Sequence, residues 1–364
     1  MNPSPILLEP VRAYSRPLET FASGFRGWSG LRFSTHGWRG EPWWHDLIFV
    51  QPRTPQRPGT ILEITGWEPN HKDLRMAQEW ADASGMTVAL LFQIPRQPIE
   101  GRIEDELIAY SFSLYLNSKD PTDLLLAPMI ASSVAALDLI EAPVVVTGAS
   151  KRGWTTWWVG LHRDERVAGI APRVFDHLDF AWQQNRQAEL WGAPSPQVQD
   201  YTEYGWSFDL DNPEVAALIG VVDPHPHRSR LTVPTLVLSG ANDPFWCPDP
   251  WDTIAPTMPE CVSYLGAPNA GHGMADRRWW SASLGGFARD CAEGRSAADE
   301  TTTRVWRAEA KEPKFVHALW RPVAEGDGTL PPLNEQMWTA EMTEVRRADG
   351  TRRTTPVRLI APTD

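Results

Sequence analysis

The run Val144-Val145-Val146-Thr147-Gly148-Ala149-Ser150-Lys151-Arg152-Gly153-Trp154 constrains this chain more than any other stretch. Consecutive valines predict a buried strand, and the glycine-flanked serine predicts a sharp turn into a helix. A serine on such a turn stands above the sheet edge, where the helix N-terminus aims its dipole and unpaired N–H groups at the same spot. The usual elbow is G-x-S-x-G. Here Arg152 fills the second place after the serine and the glycine comes one later, at Gly153. A tight turn whose serine only caps the helix is therefore the competing reading, and the rest of the chain has to separate the two.

At 364 residues the chain suits one large α/β domain with a smaller appendage, because single cores rarely grow beyond about 250–300 residues. A net charge of −12 with no long basic run argues against nucleic acid or an anionic membrane as the main partner. Cys247, Cys261 and Cys291 are scattered and lack metal-ligand spacing, so neither a disulfide framework nor a zinc site is expected. Residues 1–19 hold no apolar run of signal-peptide length, and no segment approaches the roughly 20 apolar residues of a membrane span. The expectation is a cytoplasmic protein. The 19 tryptophans include the doublets Trp43-Trp44, Trp157-Trp158 and Trp279-Trp280, which suit either a core or the wall of an apolar cleft.

Along the chain, residues 31–34 and 45–50 predict a hairpin turned at the glycines 37–40. Apolar runs at 60–65 and 86–92, separated by a helical pattern at 74–83, predict a right-handed parallel crossover. Residues 104–140 read as helical with a break at Asp120-Pro121, and short strands follow the elbow at 167–174, 233–238 and 261–265. Between 177 and 230 the alternation is lost, which predicts a cap inserted between strands. A helix near 279–291 closes a catalytic domain of 1–295. Residues 296–364 carry strand-like pieces at 301–309, 314–321, 338–347 and 354–360, expected to form a small β-sandwich.

A serine hydroxyl needs an imidazole to take its proton, and the imidazole needs a carboxylate to fix its tautomer. Two loops supply both. Ser239-Gly240-Ala241-Asn242-Asp243-Pro244 follows one strand, and Pro268-Asn269-Ala270-Gly271-His272-Gly273 follows the next. Ser150, Asp243 and His272 stand in the chain order of the α/β-hydrolase triad, which makes that fold, a mostly parallel sheet with helices on both faces, the expected one. Asp176, just past the strand at 167–174, is a rival acid. The oxyanion donors would be the backbone N–H of Lys151 with that of Gly66 or Trp67, or of Glu68, since Pro69 has none.

With these residues in place the chain resembles the PhoPQ-activated pathogenicity-related proteins, a branch of the α/β-hydrolases. The segment 148–157, GASKRGWTTW, is similar to that family's elbow, displaced glycine included. Further similar blocks are 93–98, 127–129, Val222-Asp223-Pro224 with Arg228, 240–249, 268–273, Trp306 and Trp320. The resemblance implies Ser150, Asp243 and His272 as triad and a C-terminal β-domain. It departs in three places: members are commonly exported, a second glycine expected after Gly66 is Trp67, and two expected tyrosines after Pro224 are His225 and His227. Glucuronoyl esterases share a displaced elbow glycine but not the remaining blocks.

Lys151 and Arg152 fit two roles equally, a cationic anchor for a substrate carboxylate or a support for the elbow. Arg152, Trp154 and Gln97 are candidate substrate contacts, with structural hydrogen bonding the stronger reading for Gln97, Asp223 and Arg228. His225 and His227 have the spacing of a metal pair, though a polar lid loop explains them better. The sequence therefore points to a cofactor-free serine hydrolase cleaving an ester or amide of a small to medium, partly apolar substrate. An aminopeptidase or dipeptidyl-peptidase would need carboxylates in the cap for the substrate ammonium, for which Glu189, Asp200 and Glu203 are candidates. A non-catalytic binding protein of the same fold is the alternative from another class. Oligomeric state is open.

Overall fold

The computed structural model describes residues 5–204, 209–295, 300–326 and 328–363. Residues 205–208 of the expected cap, and 296–299 just past the expected domain boundary, lie outside them. A short helix α1 (Leu8–Tyr14) leads into three antiparallel strands, β1 (Thr20–Phe25), β2 (Trp28–Trp38) and β3 (Glu41–Val50). The expected hairpin is thus present, with β1 added at its outer edge.

Next come β4 (Thr60–Ile64), α2 (His71–Ser84) and β5 (Thr87–Leu91), the expected parallel crossover. Asn70 starts α2 by accepting from the N–H groups of Lys72 and Asp73, and Gly85 ends it at φ 75°. The predicted long helix breaks at Asp120-Pro121 into α3 (Glu104–Ser118) and α4 (Leu126–Ala136). The elbow lies between β6 (Val144–Ala149) and α5 (Lys151–His162), and β7 (Val167–Arg173) follows. The cap carries α6 (Phe180–Trp191), α7 (Gln199–Glu203) and α8 (Pro213–Val222). The domain then closes through β8 (Thr235–Gly240), α9 (Pro250–Ile254), β9 (Val262–Ala267) and α10 (Arg277–Glu293).

These strands form one nine-stranded sheet in the order β1-β2-β3-β5-β4-β6-β7-β8-β9, parallel from β5 to β9. One face packs on α1, α3, α4 and α5 through residues such as Leu8, Ile108, Ile130 and Trp158. The other packs on α2 and α10 through Leu74, Trp80, Trp280 and Leu284. Because β4, β6, β8 and β9 run the same way, the loops that leave them all emerge at one sheet edge, where ligands of open α/β sheets bind. That edge is the place at which four separate stretches of sequence can meet.

The C-terminal strands are β10 (Glu300–Ala310), β11 (Arg321–Glu325), β12 (Trp338–Arg347), β13 (Arg352–Thr354) and β14 (Arg358–Ile360). They make a single five-stranded antiparallel sheet in place of the two facing sheets of a sandwich. No second sheet is needed, because Ala308, Ala340, Met342 and Val357 are covered by Ala241, Phe315 and Trp320. Residues 314–320, expected as strand, form an irregular strap with a turn closed by Ala318 N–H to the Phe315 carbonyl at 3.0 Å. Its carbonyls meet side chains of the larger domain and not a neighbouring strand.

Candidate active site

Ser150 adopts φ 56° and ψ −126°, a backbone conformation that non-glycine residues rarely hold. Its side chain makes no capping bond to α5, so the helix-cap reading of the serine fails. The hydroxyl lies 3.0 Å from His272 Nε2, and His272 Nδ1 lies 2.7 Å from Asp243 Oδ2. Asp243 also accepts the Phe245 N–H at 2.9 Å, which fixes its carboxylate, and the Phe245 ring stacks on His272 at 4.0 Å. Asp176 carries no hydrogen bond to His272 among the described residues. Its carboxyl is pushed up to about 6 by lost hydration and by the neighbouring Asp243 charge.

The displaced glycine has a steric cause. A Cβ on Gly153 would stand 2.7 Å from the Arg173 carbonyl and 2.8 Å from Phe175 Cβ, so a side chain there would push α5 away from the end of β7. Position 152 faces a different neighbour. Arg152 is buried and donates from Nε to the Ile94 carbonyl at 2.6 Å and through both terminal nitrogens to Glu104 at 2.7 and 2.8 Å. That guanidinium fills the space above Gly66, where a Cβ would come within 1.7 Å of it. Gln97 accepts the Glu104 N–H at 2.8 Å and donates to the Glu104 carboxylate. Neither Arg152 nor Gln97 lines the pocket beside Ser150, so the structure does not bring these two candidates to a substrate.

Lys151 is buried and paired with Asp105 at 2.6 Å and Glu104 at 3.1 Å, and the Tyr201 hydroxyl donates to Asp105 at 2.8 Å. The cations on Glu104 hold its carboxyl far below the usual range against the cost of burial. Two cations and two carboxylates thus neutralise one another under the elbow, and the pocket is left without a free charge at this point. The loop after β4 places Gly66 in the interior and Trp67 at the surface, 53% exposed. Among the described residues, neither N–H donates to a protein acceptor.

The pocket beside Ser150 is about 90 Å³. Trp154, Phe112, Phe175, Phe245 and Trp246 wall it from the sheet side, and Phe180, Val198, Leu218 and Val222 close it from the cap. Of the three candidate substrate contacts, Trp154 is the one that lines the pocket. Its indole N–H and that of Trp158 both donate to the Val222 carbonyl, tying the cap to α5. Asp223 continues that tie by accepting the N–H groups of Phe180 and His225, each at 2.9 Å. Arg228 donates to the Thr257 and His225 carbonyls, so both of these residues are structural. His225 and His227 bind Thr257 and Gly220 and do not converge, and the described residues hold no cluster suited to a metal.

Sequence reasoning missed Glu104, Asp105, Tyr201, Gln184 and His177. His177 is stacked between Trp246 at 3.4 Å and Phe180 at 4.3 Å, and burial drives its pKa down to about 3, so it is neutral at pH 7. His177 Nδ1 and Gln184 Oε1 are buried at the pocket without a partner among the described residues. Sequence pattern does not mark them, because His177 lies in the loop between β7 and α6 and the period of α6 does not say which of its residues face the pocket. A larger cavity of about 540 Å³, lined by Tyr14, His36, Arg39 and Ser132, shares no residue with the Ser150 pocket.

This topology, with its elbow after β6 at the sheet centre, defines an α/β-hydrolase fold. The family model for PhoPQ-activated pathogenicity-related proteins matches residues 25–312, and the chain belongs to that family. The chain is 32% identical over 276 residues to autocrine proliferation repressor protein A of Dictyostelium discoideum, covering 67% of this chain and 55% of that one. It thus spans about half the length of that relative. Among solved structures, acetyl xylan esterase 1 from Thermoanaerobacterium sp. JW/SL YS485 is similar at TM-score 0.53 and 16% identity, over 75% of this chain and 90% of that one. The acetyl xylan esterase from Paenibacillus sp. R4 is similar at TM-score 0.51 and 15% identity, over 73% and 86%. At these identities the likeness is one of fold.

Proposed function

We propose that this protein is a serine hydrolase that cleaves an ester of an uncharged, partly apolar substrate through an acyl-enzyme on Ser150. The observation that carries the reading is the continuous Ser150–His272–Asp243 hydrogen-bond chain at the mouth of an aromatic pocket. Ser150 Oγ attacks the carbonyl carbon as its proton passes to His272 Nε2, and the ester C–O bond breaks as that proton moves to the leaving oxygen. Water then repeats the sequence and returns the serine. Asp243 holds Nδ1–H and stabilises the imidazolium, while the N–H of Lys151, with that of Gly66 or Trp67, holds the oxyanion.

Two features support an uncharged ester over a peptide with a free amino end. Among the described residues, Asp105 is the only carboxylate lining the pocket, and Lys151 already neutralises it. Glu189, Asp200 and Glu203 do not line it. The cavity is smaller than the roughly 150 Å³ that holds a benzene, which suits a short acyl group with the leaving portion outside. A panel of p-nitrophenyl esters of increasing acyl length beside aminoacyl p-nitroanilides tests this. The expected result is turnover of short esters, little of anilides, and loss of about 10⁴-fold or more in Ser150→Ala. Equal rates in that variant would refute the reading.

A further inference from the structure

We infer that the strap at residues 313–320, which joins β10 to β11 of the C-terminal sheet, positions Asp243 and His272 through Asn242 and Asn269. The inference rests on the serine-hydrolase reading above and adds a requirement to it: the acid and base are set by a part of the chain outside the hydrolase sheet.

Asn242 immediately precedes the acid. Its amide nitrogen donates to the Phe315 carbonyl at 2.6 Å and to the Ala318 carbonyl at 2.8 Å, so both amide hydrogens are committed to the strap. Asn269 lies in the loop that carries the base. Its Oδ1 accepts the Trp320 N–H at 2.8 Å and its Nδ2 donates to the Trp320 carbonyl at 2.9 Å, a reciprocal pair closed on one strap residue. The two loops are also joined directly, by the Asn242 N–H to the Ala270 carbonyl at 2.9 Å.

Phe315 and Trp320 are buried beside Ala241, so the strap is anchored by packing as well as by hydrogen bonds. Neither asparagine lines the Ser150 pocket. At its other end the strap accepts the Trp191 indole N–H at the Pro313 carbonyl, 2.9 Å, which ties cap helix α6 to the same element. A loop that carries a catalytic group needs a rigid support, since a 1 Å error at a reacting group costs about a hundredfold. Without the strap, the Asp243 and His272 loops would keep the Asn242–Ala270 bond and the Ala241 N–H to Ala267 carbonyl bond at 2.9 Å, but would lose all four asparagine bonds to it.

The test uses the full chain with Asn242→Ala and Asn269→Gly; glycine suits the second site because Asn269 stands at φ 58°. The expected result is a fall in kcat of about ten- to a hundredfold with KM changed less than about twofold. The downfield imidazole N–H proton resonance of His272, assigned by its absence in His272→Gln, is expected to broaden or vanish in both variants. Asn269→Asp keeps the bond from the Trp320 N–H and is expected to retain part of the rate and the resonance. The inference is overturned if folded variants keep both kcat and the resonance, or lose only thermal stability. If the wild type neither turns over esters nor reacts with a fluorophosphonate, the hydrolase reading has failed, and the resonance alone still decides whether the strap holds His272 on Asp243.

Discussion

Among the described residues two serine–histidine pairs have nearly equal length, and only one of them has the surroundings of a nucleophile. Ser132 Oγ lies 3.1 Å from His45 Nε2, beside 3.0 Å for Ser150 and His272. His45 Nδ1 donates to the Phe92 carbonyl at 3.3 Å, whereas His272 Nδ1 meets a carboxylate at 2.7 Å. Thr35 shares the His45 site, with its hydroxyl 2.8 Å from Ser132. His45 is wholly buried, and lost hydration lowers its pKa to about 4. Ser132 sits within α4, while Ser150 is held at positive φ before α5. The comparison teaches that distance does not make a base. A carboxylate to carry the imidazolium and a helix N-terminus do, whereas an adjoining cavity does not, since Ser132 lines the larger one.

The largest effects should separate the two serines. Ser150→Ala should lower kcat/KM by about 10⁴-fold or more, and Ser132→Ala should leave it within about twofold, both read from ester hydrolysis. Asp243→Asn should lower kcat about 10⁴-fold by stabilising the wrong imidazole tautomer. Asp176→Asn should change it far less, which a parallel kcat measurement checks. Beneath the elbow, Arg152→Ala leaves Glu104 without its bidentate partner and should destabilise by about 3–5 kcal/mol in urea unfolding.

A smaller effect belongs to the buried pair. His45 binds its proton at about 4 in the folded chain and near 6.5 unfolded, so between these values the unfolded state holds more protons. Its contribution is therefore intact above pH 6.5 and lost as pH falls toward 4. The stability of the wild type relative to His45→Gln should drop by about 2 kcal/mol from pH 7 to pH 5, measured by urea unfolding at each pH. Smallest of all, Ser132→Ala should cost about 1 kcal/mol for its neutral hydrogen bonds.

Much of the fold was legible because its signals are local. The valine run, the Ser150 turn and the polar loops after 233–238 and 261–265 are each continuous in sequence, and parallel strands bring their ends together without further instruction. The equal roles open to Arg152 could not be separated locally, since its partners Glu104 and Ile94 lie 48 and 58 residues upstream. The wall formed by His177, Gln184 and Tyr201 was hidden for a related reason: a helical pattern in the cap marks a helix but not which of its residues close the pocket. At 314–320 a strand-like composition yielded to tertiary contacts, because Asn242 and Asn269 claim the strap's hydrogen bonds. The single C-terminal sheet follows from the same fact, its apolar face being covered by that strap.

The most direct measurement treats the wild-type protein with a fluorophosphonate and maps the modified residue by mass spectrometry. The account predicts stoichiometric labelling of Ser150, none of Ser132, and loss of labelling in His272→Gln. No labelling, or labelling that survives Ser150→Ala, would contradict it.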